Sequence, residues 1–281
     1  MKILLTGRNG MLGNDLIEIL KGSNHEIIST NTSNLDITKL NEIHEKVDEV
    51  NPEIIINSAA YTDVDGCEIK KNLAYNVNAI GPKNLAIVAN KSNCSLVHIS
   101  TDYVFDGNQK SYAEEDETNP INVYGKTKLE GELFVKENLN NYFILRTAWL
   151  YGLHGSNFVK TMLNLSKNNN EIAVVNDQYG SPTFTRDLSI AISKIIETDN
   201  YGTYHITNSG NCTWYDFAKE IFKQTNIDVT LKAVTSEEFS RPAPRPKYSI
   251  LNNKNWKKIG FKPLRSYKEA LKEYLSLELN E

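Results

Sequence analysis

The chain of 281 residues has only three cysteines, and they form no pattern. Cys67, Cys94 and Cys212 show neither Cys-x-x-Cys nor Cys/His ligand spacing, which excludes a disulfide framework and a zinc centre and predicts three reduced, buried thiols. Long hydrophobic runs are missing too, and nothing approaches the roughly 18 apolar residues of a membrane helix. Charge of one sign is also absent. Lys and Arg number 31 against 35 Asp and Glu, interspersed, for a formal net charge of -4. That balance offers no basic track for nucleic acid and no polybasic patch for a membrane, so a small-molecule ligand is expected. Met1-Lys2 leads straight into a strand-like run with no room for a signal peptide, and the expected setting is the cytoplasm. Asn93-Cys94-Ser95 and Asn211-Cys212-Thr213 are then chance matches to the glycosylation sequon. Glu114-Glu115-Asp116-Glu117 reads as a solvated surface, because consecutive carboxylates in a loop rarely converge on one ion, and no metal site is predicted.

What the chain does have begins at its N-terminus. The apolar run Ile3-Leu4-Leu5-Thr6 passes directly into Gly7-Arg8-Asn9-Gly10-Met11-Leu12-Gly13, a glycine-rich loop between a buried strand and a helix. Such glycines permit a tight turn, close approach of backbone to a pyrophosphate and close packing of helix on strand, while the helix start offers unpaired N–H groups to the anion. A glycine-rich hairpin would read similarly, so context decides. Strand-like runs recur at Lys2 to Thr6, Glu26 to Thr30, Glu53 to Asn57, Ser95 to Ser100 and Tyr142 to Thr147, with helical patterns between. This alternation predicts an α/β protein with a Rossmann-like doubly wound parallel sheet.

After about residue 155 the rhythm loosens around Tyr179-Gly180-Ser181-Pro182 and the proline-rich run 241–246. Residues 1–155 are therefore expected to form the dinucleotide-binding domain and 156–281 mainly a smaller C-terminal substrate-binding lobe, with crossings back to the first. Helices are predicted from Trp214 to Gln224 and from Ser266 to Leu277, the second burying Tyr267, Ala270, Leu271 and Tyr274 on one face.

Ligands of such sheets bind beyond the carboxyl ends of the strands. There, Tyr124 and Lys128 stand four apart, so on a helix both project from one face. An ammonium beside the phenol favours the tyrosinate and makes Tyr124 a usable proton donor, as a carbonyl reduction requires. Tyr215 and Lys219 share the spacing, which shows that the pair alone means little. Position separates them, since only Tyr124 follows a strand ending in Ser100-Thr101-Asp102, where the Thr101 hydroxyl is placed to hydrogen-bond a substrate oxygen. His98, within an apolar strand, reads as a satisfied core histidine.

These motifs resemble the extended short-chain dehydrogenase/reductases, and most closely their dTDP-4-dehydrorhamnose reductase branch. The resemblance rests on the glycine loop, Asn57-Ser58-Ala59-Ala60-Tyr61-Thr62-Asp63-Val64-Asp65, Asn76-Val77-Asn78-Ala79 and Ser100-Thr101-Asp102-Tyr103-Val104-Phe105-Asp106-Gly107, together with the Tyr124/Lys128 segment. Arg146-Thr147-Ala148-Trp149-Leu150-Tyr151-Gly152, Asp177-Gln178-Tyr179-Gly180-Ser181-Pro182-Thr183 and the run 241–246 extend it nearly end to end. It implies NAD(P)H-dependent reduction of the 4-keto group of a dTDP-linked deoxysugar, with Tyr124 as proton donor, Lys128 on the nicotinamide ribose holding the tyrosine pKa down, and Thr101 orienting the carbonyl. It further implies that Asp36 and Ile37 contact the adenine, that Ala59, Ala60 and Tyr61 line the cofactor, and that Asp102, Tyr103, Trp149, Gln178, Thr183 and Arg245 meet the substrate. Trp149 would lie against the sugar ring and Arg245 on the pyrophosphate. Family members often form a homodimer, in some cases with Mg2+ at the interface, but nothing in this sequence predicts the metal.

The second strand ends Ser29-Thr30-Asn31 without the acid that usually binds both ribose hydroxyls of NAD. Arg8 is positioned for a 2'-phosphate, so NADPH is the expected cofactor with NADH usable. Two rivals stay open: a relative acting on another nucleotide-sugar as reductase, epimerase or dehydratase, and a non-catalytic regulatory subunit like that of methionine adenosyltransferase. Dehydratases usually carry a Glu beside the Asp, whereas Asp102 is followed here by Tyr103.

Overall fold

The structure, a computed structural model, describes residues 1–279. Its five leading strands are β1 (Lys2–Thr6), β2 (Glu26–Ser29), β3 (Ile54–Asn57), β4 (Ser95–Thr101) and β5 (Tyr142–Thr147). A sixth, Gly202–His205, joins β5, and the sheet runs Gly202–His205, β5, β4, β3, β1, β2 with every pair parallel. Both faces are buried. Ile3 and Leu5 of β1 face one core with Leu12, Leu16 and Leu20 of helix α1 (Met11–Lys21), spaced four apart along one stripe. Leu4 and Ile55 face the other core with Ile43 and Val47 of helix Leu40–Val50 and Leu85 and Val88 of helix Gly81–Lys91. The chain goes outward from β1 to β2 and returns to β3, so the order reverses between β1 and β3, the place where such sheets open a crevice for ligands.

The expected five strands are all present. The Gly202–His205 strand was not anticipated. Helix Thr185–Ile195 accompanies it, and Leu188, Ala191, Ile192, Ile195, Tyr204, Ile206 and Trp256 complete the same core as β1 and α1. The chain thus crosses back after leaving the sheet at β5. The rest of the C-terminal part has its own core, in which Tyr151, Val159, Phe184, Phe217, Ile221 and Tyr274 meet. Helix Trp214–Thr225 and helix Tyr267–Glu278 both open on capping boxes, Thr213 with Asp216 and Ser266 with Glu269. Tyr267, Ala270, Leu271 and Tyr274 are buried as their spacing predicted. The three thiols are free and buried, with burial pushing Cys67 and Cys94 up to about 11 and Cys212 to about 12. Among the described residues no helix is long and apolar enough to cross a membrane, and no group of three or more His, Cys, Asp or Glu is placed to hold a metal.

The acidic run is the fold-level correction. Glu115 does sit at the surface, paired with Lys254, but Glu114 is only 8 % exposed. Its Oε1 accepts from the His205 and Asn255 amides, each at 3.0 Å. His205 belongs to an edge strand, whose outward amide needs an acceptor, and the loop tucks one carboxylate under that edge.

The strongest polar tie lies between β4, β5 and the long helix Val123–Asn138. Glu132 of the helix is 0 % exposed and Arg146 of β5 2 %. They form a two-pronged pair, Nε to Oε1 at 2.9 Å and Nη2 to Oε2 at 2.7 Å, and the Ser100 hydroxyl donates to Oε1 at 2.6 Å. Burial pushes the Glu132 carboxyl up, but the Arg146 charge and these hydrogen bonds more than offset it and hold it below the ordinary value. Because its folded pKa is depressed, the stability this group contributes is present above its unfolded pKa and lost as pH falls through the folded one. Glu132→Ala strands a buried guanidinium and is expected to cost about 3–5 kcal/mol, measured by urea unfolding at neutral pH; a loss within experimental error of zero would contradict this.

Candidate active site

The glycine loop leaves β1 at the reversal point. Gly7 has φ +77, a left-handed conformation that favours glycine, and a Cβ there would stand 2.6 Å from the Ala59 amide nitrogen beyond β3. A Cβ on Gly13 would lie 2.2 Å from the Gly7 carbonyl oxygen, so α1 packs against the loop only with glycine at both ends. Gly10 caps α1 without a side-chain hydrogen bond, and no acidic residue occupies its first turn. The positive end of the helix and its first amides therefore stay available to an anion. Arg8 and Asn9 are exposed on the same loop, with the Arg8 amide bound to the Thr30 carbonyl at the end of β2 at 2.9 Å. This cradle fits a dinucleotide pyrophosphate.

Across the crevice, β4 ends at Thr101 and helix Val123–Asn138 begins. Asn122 caps that helix by accepting from the Gly125 amide at 2.7 Å, and Glu68 accepts from the Val123 amide at 2.8 Å. A Cβ on Gly125 would sit 2.0 Å from the Tyr103 carbonyl oxygen, so this glycine lets the helix close on the turn after β4. Tyr124 comes edge-on to Tyr103 at 5.9 Å, and Thr101 lies near enough to hydrogen-bond its phenol. Thr101 and Tyr124 thus come together, while Lys128, one helical turn on from Tyr124, lies against β4 at Ile99.

Their electrostatics differ from the expectation. Lys128 is buried and donates to the Ile99 carbonyl at 2.6 Å. Burial brings its ammonium down to about 8, with Glu132 opposing. Burial raises the Tyr124 phenol; Thr101 counters this, while Asp102, Cys67 and Tyr103 add to it. Without a ligand the tyrosine is held in its protonated form, ready to give a proton rather than primed as tyrosinate.

The remaining predicted residues divide. Asp102 and Tyr103 flank Thr101 directly, and Ala59, Ala60 and Tyr61 lie half-buried beyond β3. Asp36 accepts from the Thr38 amide and hydroxyl, while the Ile37 side chain is buried in the core under Gly81. Trp149 has left-handed backbone at φ 48 and stacks flat on Trp214, centroids 3.4 Å apart. Gln178 donates to the Ser236 hydroxyl at 2.9 Å. Thr183 is 0 % exposed, its hydroxyl on the Ser181 carbonyl and its amide on the Trp149 carbonyl, so it supports Trp149 and faces no solvent. Arg245 reaches Asp65 Oδ1 and the Ala243 carbonyl, each at 2.5 Å. A cavity of ≈ 510 Å³ between helix Thr185–Ile195 and the segment 260–265 contains none of these residues, and its Asp187 and Arg265 are paired with each other.

Sequence reasoning gave no role to several residues that build the site. Asn78 clamps Tyr61 on both sides, accepting from its amide at 2.8 Å and donating to its carbonyl at 3.0 Å, and reaches Thr127 at 3.3 Å. Thr6, Asn57 and His98 stand side by side across β1, β3 and β4. Thr6 donates to Asn57 Oδ1 at 2.7 Å, which leaves the amide nitrogen to donate to His98 Nδ1 at 3.2 Å. His98 is therefore neutral with its proton on Nε2, and that atom has no partner. Burial and the Lys128 charge keep its pKa well below the ordinary value. Polar residues closing β1 and β3, with a histidine inside the apolar run of β4, are the signal that would have pointed to this row.

The sequence profile of the family described as RmlD substrate binding domain matches residues 1–279. Among curated proteins, the chain is 40% identical over 275 residues to the spore coat polysaccharide biosynthesis protein SpsK of Bacillus subtilis (strain 168), covering 98% of this chain and 96% of that one. A crystal structure of a dTDP-4-dehydrorhamnose reductase from Clostridium acetobutylicum superposes with a TM-score of 0.98 at 52% identity, over 100% of both chains. The dTDP-4-dehydrorhamnose reductase from Bacillus anthracis in complex with NADP gives 0.96 at 46% identity, over 98% of this chain and 99% of that one.

Gly13→Ala is expected to weaken dinucleotide binding by at least about tenfold, since its methyl group must displace the loop backbone. Fluorescence titration with NADPH checks this, and an unchanged Kd would show that the loop does not form the cradle.

Proposed function

The chain belongs to the RmlD substrate binding domain family, that of the dTDP-4-dehydrorhamnose reductases, and on this premise we propose that it reduces the 4-keto group of dTDP-4-dehydro-L-rhamnose to give dTDP-L-rhamnose with NADPH. The observation that carries the reading is the meeting of Thr101 and Tyr124 beyond β4, with Lys128 one helical turn on against the Ile99 carbonyl, across the crevice from an uncapped glycine loop. A hydroxyl, a phenol and an ammonium at one end of a parallel sheet suit a reaction that leaves negative charge on oxygen.

The cofactor, when bound, supplies hydride to carbon 4 of the sugar. The residues do the rest. Amides of the glycine loop and the start of α1 would hold the pyrophosphate, and Arg8 would take the 2'-phosphate that no acid at the end of β2 opposes. Tyr124, kept protonated by burial, gives its proton to the sugar oxygen as charge develops there. Lys128, held here by the Ile99 carbonyl, would hold the nicotinamide ribose and stabilise the tyrosinate left behind. Thr101 holds the carbonyl oxygen in line, and Trp149 offers an apolar face to the deoxysugar. The setting is the cytoplasm, where nucleotide-sugars are made.

Tyr124→Phe is expected to lower kcat by about 10²–10⁴-fold while leaving NADPH affinity within a few-fold of native, read from NADPH oxidation and from binding titration. Native-like turnover in this variant would sink the assignment. Arg8→Ala is expected to reduce kcat/KM for NADPH by about tenfold and leave that for NADH nearly unchanged; equal losses with both would remove Arg8 from the 2'-phosphate.

A further inference from the structure

Thr101 has one hydroxyl proton, and an ionised Asp102 claims it. The Thr101 Oγ1 donates to Asp102 Oδ1 at 3.0 Å and accepts from the Tyr103 amide at 3.2 Å. A hydroxyl has one proton and two lone pairs. With the proton committed to Asp102, Thr101 offers only a lone pair to the Tyr124 phenol beside it and to the crevice, and a lone pair repels a carbonyl oxygen. Orienting that oxygen requires the reverse arrangement, in which Asp102 carries a proton, donates it to Thr101 Oγ1 and leaves the threonine proton pointing outward.

We propose that Asp102 is a positioning residue that acts in its protonated form, turning the Thr101 hydroxyl into a donor to the substrate oxygen, and that its ionised form turns the same hydroxyl away. The inference rests on the keto-sugar reductase reading and adds to it a control on substrate orientation. No proton is transferred to the sugar by Asp102; it reverses one hydrogen bond, and the proton of the reaction remains that of Tyr124.

The surroundings of Asp102 favour this. The residue is 3 % exposed, and its Oδ2 has no hydrogen-bond partner. A buried, unpartnered oxygen is costly on a carboxylate and cheap on a neutral acid. The Ser249 hydroxyl is close enough to ease the charge, yet its own donor contact is with the Tyr179 carbonyl at 3.4 Å. Around the carboxyl stand Tyr103 from its own turn and Tyr124 from helix Val123–Asn138, with the Cys67 thiol beyond Tyr124. Of the cations nearby, Arg245 acts on Tyr103 and is held by Asp65 and the Ala243 carbonyl, and Lys128 is held by the Ile99 carbonyl. Burial pushes Asp102 up to about 7, against the nearby Ser249 and Thr101 hydroxyls and the Asp102 and Tyr103 amides, so both forms are accessible near neutral pH.

Two measurements on the native protein, Asp102→Asn and Thr101→Val test the proposal. An asparagine amide donates to Thr101 at any pH, as the protonated acid does only below its pKa. With NADPH and dTDP-4-dehydro-L-rhamnose, native kcat is expected to fall about tenfold per pH unit above neutrality. In Asp102→Asn that limb is expected to vanish, leaving the later descent from Lys128. A limb of unchanged midpoint overturns the proposal. The second measurement needs no substrate. Infrared difference spectra are expected to show a carboxylic acid band that bleaches as pH rises through neutrality, is absent from Asp102→Asn, and bleaches at higher pH in Thr101→Val, where the ionised form has lost its donor. Absence of such a band, or an unmoved midpoint in Thr101→Val, also overturns it. Native protein that binds NADPH but turns over no 4-keto sugar would instead defeat the functional reading, with the infrared titration still deciding on Asp102.

Discussion

Everything in the site depends on where helix Val123–Asn138 sits against the sheet, and a buried ion pair fixes that. Tyr124, Lys128 and Glu132 follow one another at intervals of four, so the stripe that the helix turns inward here carries a phenol, an ammonium and a carboxylate. Apolar burial alone cannot hold such a face. Arg146 from β5 and Ser100 from β4 close on Glu132, and through it they set the height and rotation of the two residues one and two turns earlier. A buried pair of this kind returns little net stability once desolvation is counted, but its two-pronged geometry admits only one alignment. Placement, more than stability, is what it contributes.

The same logic runs along the carboxyl ends of the strands. A parallel sheet buried on both faces is apolar along most of its length and turns polar where strands stop: Thr6, Asn57, His98 and Ser100 each find a partner on a neighbouring strand or helix. These cross-links stiffen the floor of the crevice, while the groups that face the ligand stand just past it on the loops. The glycine loop and the turn after β4 are therefore carried by a framework whose polar groups are already largely satisfied.

How much of this was legible follows from range. The glycine spacing was readable because the positive φ of Gly7 and the clash of any Cβ at Gly13 leave almost no alternative residue. β3 and β4 were readable as short continuous apolar runs, and the C-terminal helices from their stripes. The Tyr124/Lys128 pair was readable because helical spacing is local. What failed to show was long-range or backbone-mediated. Gly202–His205 is four residues with one glycine and no apolar run, and it becomes a strand only because β5 offers an edge. Arg245 pairs with Asp65 across 180 positions, and Lys128 is drawn to a main-chain carbonyl that has no signature in sequence. Glu114 looked like its acidic neighbours and differs only because an edge amide lies above it.

The crossing back of the chain has a consequence for how the molecule is made. β1 to β5 are synthesised first, yet the outer edge of β5 is paired only by the strand Gly202–His205, and the core that α1 shares with β1 is completed only by helix Thr185–Ile195 and Trp256. Asp15 of α1 likewise finds its partner in the Thr185 hydroxyl. A growing chain therefore carries an open sheet edge from Thr147 to Gly202 and an unfinished core beside α1 for about 55 residues of elongation, a span of several seconds at ordinary synthesis rates. During that interval the half-built sheet is a template for pairing with other strands, and it is the stage at which a chaperone would have most to shield.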